Sequence, residues 1–226
     1  MIGVYDYTVV LTYLSAVFAG IGSLLSLSGE GHPYVGAAFL LFCGLFDTFD
    51  GKVARLKKDR SDYSRKFGVQ IDSLADILAF GFLPICIGAA LIRVNPVYHE
   101  PLGTVGRAGV TEKLFYGLMA FYLLMGLVRL AHYNVTEEER QEKEKGNRVC
   151  FQGVPITTAA IVFPLILLIQ RLTGADLTAL YFGMMLILAV LFVTAVSVPK
   201  PRFRIIMIIV GIGAVEFALF LLYYFR

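Results

Sequence analysis

Residues 45–84 read LFDTFDGKVARLKKDRSDYSRKFGVQIDSLADILAFGFLP. Two apolar runs meet here across a basic connection, and four aspartates, Asp47, Asp50, Asp72 and Asp76, stand where each run passes into or out of that connection. Ionisable groups at the ends of membrane-length apolar runs are costly unless they face a polar cavity or a partner. Residues three and four apart share one face of a helix. Asp47, Asp50, Gly51, Ala54 and Arg55 therefore form one stripe, and Gly68, Asp72 and Asp76 a second. Packing the stripes of two adjacent antiparallel helices together gathers four carboxylates around one point.

Such a cluster is a site for hard divalent cations. Oxygen-only ligands, with no His or Cys beside them, select Mg²⁺, Mn²⁺ or Ca²⁺ over zinc or copper. Two such ions about 4 Å apart serve phosphoryl chemistry by stabilising both the attacking and the leaving oxygen. The small residues Gly51, Ala54 and Gly68 let a ligand approach the backbone closely, and Arg55 offers a bidentate grip on phosphate oxygens. A solvated helix cap explains any one of these aspartates alone, but not four at spacings of three and four with small residues and an arginine between them.

Outward from this stretch the chain is apolar from end to end. Of 226 residues, 58% are hydrophobic and 16% charged, and the mean hydropathy is +0.73, well outside ordinary soluble composition. Residues 1–226 read as a single integral-membrane domain, because no polar or Pro/Ser-rich linker divides them. At roughly 20 apolar residues per crossing, the spacing predicts an all-α, polytopic transmembrane bundle of about seven spans, with six or eight as alternatives. They lie near 8–27, 34–56, 69–92, 113–133, 154–172, 177–197 and 204–225. With the N-terminus inside, twelve loop cations face the cytoplasm, from Lys57 and Lys58 to Arg202 and Arg204, against five outside, as the positive-inside rule requires. The protein is thus expected in the cell membrane with the aspartates at the cytoplasmic ends of the second and third helices. The mixed-charge segment 136–148 reads as a solvated inner loop, the first apolar run as a retained span, and Tyr223, Tyr224 and Phe225 as an interfacial anchor. Cys43, Cys86 and Cys150 suggest no disulfide framework, and His32, His99 and His132 no ligand set. A net charge of +3 scattered over short loops argues against a nucleic-acid partner.

The stretch resembles the signature of the CDP-alcohol phosphotransferases, D-x-x-D-G-x-x-A-R, a spacer, then G-x-x-x-D-x-x-x-D. Every fixed letter is present: Asp47, Asp50, Gly51, Ala54, Arg55, Gly68, Asp72 and Asp76. The spacer exceeds the family's usual one by about one helical turn, which predicts a longer cytoplasmic connection. The resemblance implies that Asp47, Asp50 and Asp72 ligate two ions, Mg²⁺ or Mn²⁺, with Asp76 a shared metal-site residue and the general base. It implies that Asp50, Gly51, Ala54, Arg55 and Gly68 hold cytidine and diphosphate, and that the protein is a homodimer.

Two further runs resemble the phosphatidylserine synthase branch of that family: DSLADILAFGFLP at 72–84, and RLAHYNV at 129–135 followed by FQGVPITTAA at 151–160. Val154 and Thr157 depart from the branch pattern. By this resemblance the substrates are a CDP-activated lipid and L-serine, with Arg129, Tyr133 and Asn134 bordering the acceptor pocket. Inositol phosphate or glycerol phosphate as acceptor is an alternative within the same chemistry, and diacyl and archaeal ether lipids present the same diphosphate. Thr12 and Ser15 share one face of the first span and are candidates to approach the nucleotide. From a different class, four carboxylates could line the path of a metal or ion transporter, although all of them sit at one membrane face.

Overall fold

The computed structural model describes residues 3–29, 31–57, 59, 61–95, 97–98, 107–143, 150–199 and 203–224. Among the described residues, eight α-helices run in order: α1 (Val10–Leu27), α2 (Pro33–Leu56), α3 (Asp62–Asp76), α4 (Leu83–Val94), α5 (Arg107–Lys143), α6 (Ala159–Thr173), α7 (Thr178–Val193) and α8 (Phe203–Tyr224). A π-helical segment, Ile77–Phe82, fuses α3 to α4, so that 62–94 is one continuous rod. Two three-residue strands, β1 (Cys150–Gln152) and β2 (Ser197–Pro199), pair antiparallel beside the entries to α6 and α8. They leave the all-α class unchanged.

Local chemistry sets the breaks. Gly29 and Gly31 take φ of +54° and +106°, a region open mainly to glycine, and Pro33 then starts α2 where its missing N–H costs nothing. Ser61 caps α3, its hydroxyl accepting from the Ser64 N–H at 3.1 Å. Gly174, at φ +69°, closes α6.

Among the described residues, five segments are long and apolar enough to cross a bilayer: Val10–Leu27, Pro33–Ala54, Asp62–Val94, Thr111–Glu137 and Ile156–Thr173. The remaining two expected spans are shorter apolar helices, Thr178–Val193 and Val210–Phe220. Leu24, Leu114, Leu124, Ile187, Ile208 and Val215 point outward, as they do in a bilayer, where a lipid-facing Leu needs no cover. The chain is a polytopic helical membrane protein.

The core is aliphatic and aromatic, with Leu40, Phe80, Leu83, Ile87, Leu91, Tyr122, Phe163, Leu167, Tyr181 and Phe182 at 0–1% exposure. Helix α2 lies at its centre because small residues let neighbours close in. A Cβ on Gly36 would fall on Ser26 Oγ of α1, and one on Gly44 would come within 2.7 Å of Ala160 Cβ of α6.

Three expectations need correction. The third helix begins at Asp62, not near 69, so the extra residues of the spacer lengthen α3 and the connection is only 57–61. The Ser61 cap and Asp62 in the first turn favour that start. Helix α5 runs on to Lys143, so 136–143 is helix rather than loop. Its Glu and Lys residues are good helix formers that need no core once past the apolar part. Lys58, Arg60, His99, 144–149, 200–202 and Phe225 lie outside the described residues, as do the side chains of Arg55, Cys150, Arg204, Tyr223 and Tyr224. Cys43 and Cys86 are buried free thiols.

Candidate active site

The last three turns of α2 and the last two of α3 bring the predicted aspartates together. Carboxylate oxygens of Asp47, Asp50 and Asp72 all lie within 4.8 Å of one another. Asp76 is in hydrogen-bonding contact with Asp47, and Asp50 with Asp72, so the four form one continuous cluster. Asp50 is the most enclosed, at 8% exposure. Carboxylates held this close repel one another unless a cation or proton lies between them. Oxygen donors alone, three of them within one ion's reach, fit a hard divalent cation.

Around the cluster, Thr12 of α1 donates its hydroxyl to Asp50 Oδ2 at 3.3 Å. The other polar residue singled out on α1, Ser15, is buried, and its carbonyl accepts from Cys43 Sγ at 3.5 Å. Gly51 is exposed, and Ala54 and Gly68 are half-buried, so backbone on both stripes is reachable from the connection side. Lys52, one residue past Gly51, sets its Nζ 5.0 Å from the Phe49 ring. The N-terminal segment folds back onto the same end. Lys57 Nζ lies 2.7 Å from Asp6 Oδ2, and this ammonium, with the Thr8 hydroxyl and N–H, lowers the Asp6 pKa to about 2.

The three acceptor-pocket candidates on α5 divide. Asn134 reaches the carboxylate helix: its amide donates to Ser73 Oγ at 2.8 Å, and that hydroxyl points back to Asn134 Oδ1 at 3.2 Å. Ser73 directly follows Asp72. Arg129, 6% exposed, donates from Nε to the Val154 carbonyl at 3.3 Å, and its guanidinium lies 5.5 Å from the Tyr133 ring. Gly153, at φ +76°, makes the turn that presents that carbonyl.

A cavity of about 510 Å³ opens between α2, α6 and α8. Leu41, Leu45, Ile161, Ala214 and Phe217 wall it with hydrocarbon, and Asp47, Thr48, Thr157 and Thr158 supply its polar lining. Ser73, the Asp6–Lys57 pair and this cavity were not singled out in the sequence. Each joins parts of the chain far apart in it, so no local spacing announces them.

Comparison with known proteins gives a consistent set. The family model described as CDP-alcohol phosphatidyltransferase matches residues 7–196. A CDP-diacylglycerol–serine O-phosphatidyltransferase of Helicobacter pylori (strain J99) is 29% identical over 190 residues, covering 82% of this chain and 69% of its own. One from Saccharomyces cerevisiae is 31% identical over 161 residues, covering 70% of this chain and 51% of its own. An archaetidylserine synthase of Methanothermobacter thermautotrophicus is 29% identical over 195 residues, covering 84% and 68%.

Proposed function

Since the chain belongs to the CDP-alcohol phosphatidyltransferase family, we propose that it transfers the phosphatidyl or archaetidyl group of a CDP-activated lipid to L-serine and releases CMP. The observation that carries the reading is the convergence of Asp47, Asp50 and Asp72 within 4.8 Å beside Asp76, from α2 and from within the 62–94 rod. The names of the relatives from three domains of life support serine as the acceptor and leave the lipid as diacyl or ether.

In this reading Asp47, Asp50 and Asp72 would hold two divalent ions, Mg²⁺ or Mn²⁺, with Asp76 a shared residue of that site. Ions held there would supply charge neutralisation of the diphosphate and so favour departure of CMP. The chain's residues do the rest. Gly51, Ala54 and Gly68 leave the backbone open to the nucleotide, and Arg55 pairs with diphosphate oxygens. Thr12 holds Asp50 in place. The serine oxygen attacks the β-phosphorus and its proton passes to Asp76. The bond from the β-phosphorus to the bridging oxygen breaks, and CMP leaves with that oxygen. No covalent enzyme intermediate is required.

The cavity between α2, α6 and α8 suits one hydrocarbon tail of the lipid, because its walls are mostly apolar and Asp47 of the carboxylate cluster is among its lining residues. Arg129, Tyr133 and Asn134 border the acceptor side, Asn134 through Ser73. The aspartate end faces the cytoplasm and the protein pairs as a homodimer in the cell membrane; cysteine labelling from each side and crosslinking in native membranes test these two features.

The test of the function is CMP release by purified protein given CDP-diacylglycerol or its ether-linked counterpart and Mn²⁺ or Mg²⁺. L-serine is compared with inositol phosphate and glycerol phosphate, and Asp76→Asn is the control. Serine-dependent release that the substitution and chelation both abolish is expected. Release only with a phosphorylated alcohol would move the acceptor assignment, and none with any alcohol would return the transporter reading.

A further inference from the structure

The rod that carries Asp72 and Asp76 changes pitch directly after Asp76. Ile77–Phe82 is π-helical, and the Leu83 N–H bonds the Leu78 carbonyl five residues back. Helix α4 then returns to α pitch. At that return the carbonyls of Ala79, Phe80 and Gly81 face only the backbone donors of 84 and 85, and Pro84 has no N–H to give. A buried carbonyl left without a donor is costly. Phe80 O is supplied from another helix: the Tyr122 hydroxyl of α5 donates to it at 2.6 Å. One turn on, the Tyr181 hydroxyl of α7 donates to Pro84 O at 2.8 Å.

Both phenols are 0% exposed, so neither has water as an alternative partner. The Tyr122 ring is wedged between Phe163 and Phe192, with centroids at 5.9 and 5.5 Å. It cannot move without moving α6 and α7. Inside the π turn, a Cβ on Gly81 would meet Ile77 Cδ1 at 2.7 Å, so the turn closes tightly on the residue just after Asp76. π-Helical turns are uncommon and need support from their surroundings.

We propose that Tyr122 is a positioning residue for phosphatidyl transfer: its hydroxyl pins the π turn at Phe80 and thereby sets the height and rotation of Asp76 against Asp47. The inference rests on the reading of Asp76 as the proton acceptor. A π turn contains one residue more than an α turn, and this rotates the helix beyond it by about 100° relative to a continuous α-helix. Asp76 is the last residue before that change, so a partial return to α pitch turns its carboxylate directly. Tyr122 touches no substrate in this scheme and acts only through the rod.

The experiment is steady-state CMP release by the full-length protein, with CDP-diacylglycerol, serine and saturating Mn²⁺. Tyr122→Phe keeps the ring and removes the hydroxyl; kcat is expected to fall tenfold or more, as small misplacements of a reacting group do, with both KM values changed less than twofold. Pro84→Ala gives the turn a backbone donor, so the double variant is expected to recover most of the lost kcat. Tyr181→Phe, one turn farther from Asp76, is expected to lower the melting temperature and leave kcat unchanged. Wild-type kcat in Tyr122→Phe, or losses that simply multiply in the double variant, would overturn the proposal. If Tyr122→Phe alone does not accumulate, the double variant is compared with Pro84→Ala, where a loss below threefold supports the proposal and any larger loss overturns it. Turnover retained by Asp76→Asn would remove the underlying reading and the proposal with it; Asp76→Asn inactive beside a fully active Tyr122→Phe would remove the proposal alone.

Discussion

Asn134 of α5 and Ser73 of α3 are 61 positions apart in the chain, and the Asn134 amide donates to the Ser73 hydroxyl at 2.8 Å. Ser73 neighbours Asp72, so this bond ties the carboxylate helix to the helix carrying Arg129 and Tyr133. A neutral hydrogen bond contributes about 1 kcal/mol. Asn134→Ala and Ser73→Ala are each expected to lower kcat/KM for serine a fewfold to tenfold. The double variant should be no worse than the poorer single one. Additive losses in that cycle would show that the two side chains act separately.

Gly213 stands in the wall of the apolar cavity, where an added Cβ would come no nearer than 3.8 Å to Leu41. Gly213→Ala should therefore be neutral. Gly213→Leu pushes a branched side chain into the space assigned to a lipid tail and is expected to raise KM for the CDP-lipid about tenfold, or about 1.4 kcal/mol, without changing KM for serine. Equal effects on both substrates, or none on the lipid, would dissociate the cavity from the tail.

Gly153 supports Arg129 by a backbone conformation that L-residues rarely adopt. A Cβ there would lie 2.9 Å from the Phe192 carbonyl and 3.3 Å from Arg129 Nε. Gly153→Ala is expected to cost about 1–3 kcal/mol. The cost reads as a lower melting temperature of the solubilised protein, together with loss of the Arg129 bond to Val154.

The Asp6–Lys57 pair predicts a pH dependence. The folded pKa of Asp6, about 2, lies below its ordinary value of 3.8, so the pair's stabilisation is fully present above pH 3.8 and is lost as pH falls through 2. Both side chains are partly exposed, which keeps the contribution under about 1 kcal/mol. Asp6→Asn should melt slightly below wild type at pH 5 to 7, with the gap closing toward pH 2. Lys57→Gln should return the Asp6 titration toward 3.8 by NMR, and an unmoved titration would mean that another group holds it down.

At the far end of the bundle, Asp176 gives a second check. Partial burial raises its pKa, but the Thr178 N–H and the Asn95 amide, 3.0 and 2.7 Å away, outweigh this and hold it below the ordinary value. Asn95→Ala is expected to raise the Asp176 pKa and to leave CMP release unchanged, because the pair joins α4 to α7 away from the aspartates.

The class of the protein, its seven apolar segments and its four-aspartate cluster were legible in the chain because each is a local pattern. Apolar run length answers to bilayer thickness, and spacings of three and four place Asp47 with Asp50 and Asp72 with Asp76 whatever surrounds the helix. Helix ends were less legible: the Ser61 cap started α3 early, and α5 ran past its apolar stretch, because helix propensity continues where hydropathy stops. Tertiary structure alone decided which side chains meet across helices. Thr12 on Asp50, Asn134 on Ser73, Lys57 on Asp6 and Tyr122 on the Phe80 carbonyl depend on the rotation and axial offset of packed rods, which the global core sets and no sequence period encodes. The π turn after Asp76 is of the same kind. Pro84 marks in the sequence that a donor is missing, but only the packing of α5 against the rod shows which hydroxyl replaces it.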